Sequence, residues 1–119
     1  MSENTKHKSE IKFTIELDEN NMPEKITWLA SQTNLPEKEC RAINISIWDA
    51  AEKDTLKFDL WTKDMIIDEM HQHFMITLMS LAESYEKAVN TTIAVPEMQA
   101  FCQMLYKKVK EEESQRSSN

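Results

Sequence analysis

NISIWDAAEKDTLKFDLWTKD, residues 44–64, is the stretch on which the fold turns. Read as two strands of one hairpin, it puts Ile45 and Ile47 on one face with Leu56, Phe58 and Leu60, because successive side chains of a strand point to opposite sides. AAEKD supplies the connection, longer than the two-residue minimum and without glycine. The first strand runs from about Arg41 to Asp49 and the second from about Thr55 to Thr62. Alternation then leaves Trp48 and Trp61 on the other face, with Asn44, Ser46, Lys57 and Asp59. Two indoles stand on the side that the pattern assigns to water.

Upstream, IKFTIELD alternates Ile11, Phe13, Ile15 and Leu17 with Lys12, Thr14, Glu16 and Asp18, the pattern of a half-buried strand. DENNMPEK turns the chain, since Asn20 and Asn21 tolerate left-handed backbone and Pro23 fixes its own φ. KITWLA, residues 25–30, makes a further strand with Ile26, Trp28 and Ala30 toward the core. Ser31 to Cys40 reads as a loop, with room for a short helical turn after Pro36.

Beyond Asp64 the apolar period lengthens from two residues to about 3.6. Ile67, Met70, Phe74, Leu78, Leu81, Tyr85 and Ala88 mark a helix from near Ile66 to Val89, with Asp64, Asp68 and Glu69 at its positive end. Pro96 suits the first turn of a second helix, whose apolar face is Met98, Phe101, Cys102, Leu105 and Val109. The order β-β-β-β-α-α predicts an α+β fold: a four-stranded antiparallel sheet with two C-terminal helices packed on one face. Residues 1–9 read as a disordered lead, 10–110 as a single domain and 111–119 as a disordered tail.

The totals bound the function. At 119 residues the chain is one domain by length, with 40% hydrophobic and 29% charged residues and a mean hydropathy of -0.59. A net charge of -7 and a pI near 5.0 argue against nucleic acid, whose binding draws on Lys and Arg releasing counterions. Cys40 and Cys102 have no paired spacing that would suggest a zinc ribbon or redox motif. The first ten residues lack a signal peptide's apolar run and no stretch is long enough to span a bilayer, so direct membrane insertion is not expected and a cytoplasmic location is. With no glycine in the chain, phosphate-binding loops and nucleophile elbows cannot be built.

Asp68, Glu69, His71 and His73 lie close in sequence, but His71 and His73 are about 200° apart on a helix, whereas metal pairs use i and i+4. A surface ion pair accounts for Glu69 and His73 equally well. No Ser/His/Asp or Cys/His set can be assembled, so the reading is of a non-enzyme without cofactor or metal. The methionines of the helices, Met70, Met75, Met79, Met98 and Met104 among them, fill a core or line an adaptable groove.

Trp48 and Trp61 admit three readings. The 31–40 loop or the N-terminal arm folds over them, a bulge turns one inward, or they anchor a partner or a second copy. On the last reading Trp48 and Trp61 are the anchors of a protein-binding face, with Asp59, Lys57, Ser46 and Asn44 around them.

The stretches ELDENNMPEKITW, AINISIWDAAEKDTLKFDLWTKDM and IDEMHQHFMITLMSLAESYEKA resemble the GldC family of gliding-motility proteins of Bacteroidetes, from about Ile11 to Lys108. The most specific parts are DENNMPEKI with the tryptophan two residues on, the WD that ends a strand, and DLWTKDM followed by DEM. The resemblance implies an accessory protein that supports gliding and binds a component of the motility or type IX secretion machinery in the envelope. It supplies no catalytic motif. The succession of four strands and two helices is also similar to the export chaperone SecB, which implies an alternative: an oligomeric binder of unfolded or export-bound chains. A homo-oligomer is compatible with either reading.

Overall fold

The alternation in IKFTIEL is realised as β1, Ile11–Leu17, paired antiparallel with β2, Pro23–Ala30, in a computed structural model that describes residues 7–31 and 36–117. Ile15 stands opposite Ile26 and Phe13 opposite Trp28. The register slips between Glu16 and Leu17, and the turn that follows is built on Asp18. Its Oδ1 accepts from the amides of Asn20 at 2.8 Å and Met22 at 3.0 Å. Asn21 takes the left-handed conformation, φ 63°, that an asparagine tolerates better than most residues.

The third expected strand is divided. Lys38–Cys40 forms β3, pairing with β2 so that Cys40 meets Ile26 and Lys38 meets Trp28. The chain bends at Arg41 and resumes as β4, Ala42–Asp49, which pairs with β5, Asp54–Trp61. The expected single four-stranded sheet is therefore corrected to a three-stranded sheet, β1-β2-β3, and a two-stranded one, β4-β5. The loop reading of 31–40 is likewise corrected over Lys38–Cys40, while residues 32–35 lie outside the described residues.

The two sheets are tied where the strands end. Thr62 donates its amide to the Arg41 carbonyl at 2.8 Å, and Lys63 donates its amide to the Pro23 carbonyl at 3.1 Å. Thr62 is buried, and its hydroxyl donates to Asp64 Oδ1 at 2.7 Å. That bond, with Arg41 nearby, holds the Asp64 carboxyl below the usual carboxylate range. DENNMPEK and DLWTKDM thus meet in space, although Asp18 and Lys63 are 45 positions apart in the chain.

The chain divides into two compact units, Met1–Met65 with the strands and Ile66–Asn119 with the helices. In the first, Ile26 is fully buried at the centre of β2 beside the buried Thr27. Trp28 and Ala30, expected on the core side, are half-buried.

In the second unit α1, Ile67–Val89, and α2, Ala94–Ser117, form a helical hairpin. Ile66 offers no side-chain cap; its amide instead donates to Glu69 Oε1 at 3.5 Å. The helix closes at Asn90, left-handed at φ 59°, where Gly would ordinarily serve. Glu86 then spans the link, its Oε2 accepting from the Val95 amide at 2.7 Å and so satisfying an orphan donor in the first turn of α2. Among the described residues of this unit Ala82 is the buried apolar one.

Helix α2 starts two residues before Pro96 and continues through 111–117, where composition suggests a tail. Residues 111–116 contain no Gly or Pro and are tied by Glu112–Arg116 at 2.8 Å, with Lys110–Glu113 at 3.3 Å bridging into them. Of the disordered ends expected over 1–9 and 111–119, residues 1–6 and 118–119 lie outside the described residues, and 7–10 form neither helix nor strand.

Candidate functional site: one face of the β4–β5 hairpin

The hairpin register places the six candidate residues together on one face. Asn44 lies opposite Asp59, Ser46 opposite Lys57, Ala42 opposite Trp61 and Trp48 opposite Thr55. The reverse face carries Ile43 with Leu60, Ile45 with Phe58 and Ile47 with Leu56. The connection holds this register: Asp49 Oδ1 accepts from the amides of Ala51 at 2.9 Å and Glu52 at 3.2 Å, and Lys53 turns left-handed at φ 54°.

Trp48 and Trp61 sit six ladder positions apart, roughly 20 Å at the rise of a strand. Trp48 is 64% exposed and Trp61 46%. Between them Asp59 accepts from Asn44 Nδ2 at 2.6 Å and pairs with Lys57 Nζ at 3.6 Å. The polar centre is thus held from within the hairpin, leaving the indoles as its projecting apolar groups. Of the reverse face, Ile47, Leu56 and Phe58 are exposed as well, which alternation alone does not anticipate.

His71 and His73 make contacts within the helical unit. His71 Nε2 lies 3.3 Å from Glu113 Oε2, linking the start of α1 to the end of α2, and the His73 ring meets Phe74 edge-on at 5.5 Å between centroids. Among the described residues no group of three or more His, Cys, Asp or Glu side chains could hold a metal ion. Cys40 and Cys102 are free and half-buried, and burial pushes the Cys40 thiol up. Among the described residues no helix is long and apolar enough to cross a membrane.

The helix methionines left open a core or an adaptable groove, and the helical unit has a groove. A groove of about 860 Å³ runs between α1 and α2, floored by Ala82, Ala88 and Ala94 and walled by Tyr85, Met98 and Phe101. Of the methionines read as core or groove, Met98 lines it; the further signal lay in the alanines, which are too small to fill the space between two helices.

The sequence model of a family described as gliding motility-associated protein GldC-like matches residues 23–111. The chain belongs to that GldC-like family. The match runs from the first residue of β2 through the whole β4–β5 hairpin and into the last turns of α2, so it contains all six residues of the Trp face. Strand β1 and Asp18 precede it. No curated protein and no solved structure matches the chain. Membership of the family associates the protein with gliding motility; the family's description names no reaction.

Proposed function

We propose that this GldC-like protein is a non-enzymatic accessory of gliding, acting by docking its β4–β5 hairpin onto a protein component of the motility or type IX secretion machinery. The observation that carries the reading is the pair of exposed indoles on one face, Trp48 and Trp61, with Asn44, Asp59, Lys57 and Ser46 between them. Tryptophan contributes a large contact area at low entropic cost and is enriched among residues that dominate interface energetics. The span of the two rings gives a partner two anchor points on one hairpin. On this proposal the contact lies on the cytoplasmic side of the machinery.

The test is genetic and biochemical together. A strain lacking the gene, complemented with Trp48→Ala/Trp61→Ala, should fail to spread although the variant accumulates and keeps the wild-type circular dichroism and melting temperature. Normal spreading with that variant would end the proposal.

A second reading is a chaperone that captures apolar segments, favoured by the exposed Ile47, Leu56 and Phe58 and by the apolar groove between the helices. It predicts suppression of aggregation of unrelated unfolded proteins, and the docking reading predicts none.

A further inference from the structure

Strand β1 stands at the edge of its sheet: among the described residues β2 is its only hydrogen-bonded neighbour. An open edge presents a row of N–H and C=O groups to any other chain, and native proteins shorten, bulge or charge such edges to prevent pairing. This edge is seven residues long, Ile11–Leu17, and its charges are placed in a particular way. Lys12 and Glu16 lie two residues to either side of Thr14, Phe13 and Ile15 one residue to either side, and Ile11 and Leu17 three.

We propose that two copies of this chain pair β1 to β1, antiparallel about a two-fold axis at Thr14, joining their three-stranded sheets into one of six strands. A two-fold interface sets each residue against its mirror in the sequence. Here that places Lys12 against Glu16 of the second copy and Glu16 against its Lys12. On the other face Phe13 meets Ile15 and Ile11 meets Leu17. Opposite charges directly across an antiparallel pair stabilise it and like charges oppose it. An axis at Phe13 would set Glu16 against Glu10 and Lys12 against Thr14, and one at Ile15 would set Lys12 against Asp18, whose carboxylate Lys63 already holds at 2.9 Å.

The backbone agrees with this register. Ser31 donates its amide to the Glu10 carbonyl at 2.9 Å, so residues 10, 12, 14 and 16 turn their N–H and C=O groups toward β2. Ile11, Phe13 and Ile15 therefore turn theirs outward. An axis at Thr14 makes Phe13 and Ile15 the hydrogen-bonded partners and Thr14 a close non-hydrogen-bonded pair with itself, where two threonines suit each other.

The side chains are available. Ile11 is 64% and Leu17 51% exposed. Among the described residues neither Lys12 nor Glu16 closes an ion pair, although Lys25 lies opposite Glu16 across the β1–β2 ladder. Strand β5 has a similar symmetry about Phe58, but its Lys57 and Asp59 already pair with each other at 3.6 Å. A contact confined to one pair of edge strands predicts a reversible, concentration-dependent dimer.

Sedimentation of the full-length protein over a concentration series tests this. The wild type should dimerise, Lys12→Glu or Glu16→Lys should each raise the dissociation constant about tenfold, and the double variant Lys12→Glu/Glu16→Lys should restore it. In a Cys40→Ser/Cys102→Ser background, Thr14→Cys should oxidise to a covalent dimer and Phe58→Cys should not. Circular dichroism of every variant reports its folding separately. A wild type that stays monomeric at about 100 µM, a dimer indifferent to both single swaps, or linkage through Phe58→Cys alone overturns the proposal.

Discussion

Lys63, two residues beyond β5, donates from Nζ to Asp18 Oδ2 at 2.9 Å, joining the end of the second sheet to the turn between β1 and β2. Glu24 lies 3.5 Å from the same ammonium. The carboxyl of Asp18 accepts from Lys63 and from the amides of Met22 and Asn20, and these bonds lower its pKa to about 2.

This relationship predicts an acid limb of stability. The folded pKa lies below the free value of 3.8, so the contribution is present above that value and is lost as pH falls from about 4 toward 2. Lys63 is raised by the same contact, so its half is retained at neutral pH and lost only above its ordinary 10.5. Asp18→Asn should lower the melting temperature at neutral pH and flatten its decline below about pH 4. A decline as steep as the wild type's would show that other carboxyls govern the limb.

Glu86 links the two helices through the Val95 amide. Glu86→Ala should leave that amide without its partner, at a cost of about 1 kcal/mol to the start of α2, and accelerate its hydrogen exchange about fivefold. Unchanged exchange at Val95 would contradict the cap.

The three indoles have different surroundings, Trp28 half-buried and Trp48 and Trp61 exposed. A Trp28→Phe variant should emit further to the red than the wild type and be quenched more strongly by acrylamide. Trp48→Ala should change stability by less than about 0.5 kcal/mol, as surface substitutions usually do. A larger loss on urea unfolding would mean that this indole is structural.

The last turns of α2 rest on Glu112–Arg116 and Lys110–Glu113. Carbon chemical shifts should be helical through residue 116, and Arg116→Ala should destabilise the final turn by about 0.3 kcal/mol, moving its shifts toward random-coil values. Random-coil shifts from residue 111 onward would restore the reading of a tail.

Much of this was legible in the residues, for identifiable reasons. Ile45, Ile47, Phe58 and Leu60 share a face, so a one-residue slip would have inverted the whole set, and the register followed from the pattern. The same alternation put Trp48 and Trp61 at opposite ends of the other face. Strand β3 was not legible, because Lys38, Glu39 and Cys40 have no strand pattern of their own and become extended by pairing with Trp28, Thr27 and Ile26. The bend at Arg41 has neither Gly nor Pro to announce it. The end of α2 was missed because its apolar stripe fades at Lys110, while ion pairs and helix-forming residues carry the helix on. The groove needed three dimensions, since it depends on where Ala82 and Ala94 come to lie.

The three left-handed residues described above are Asn21, Lys53 and Asn90, in a chain with no glycine at all. Each carries a steric cost that glycine would avoid. The compensation lies in the denatured ensemble, which has no glycine hinges and so fewer conformations to surrender when the chain orders. Part of this protein's stability is thus a property of its unfolded state, and Lys53→Gly would relax the native turn while loosening the denatured chain.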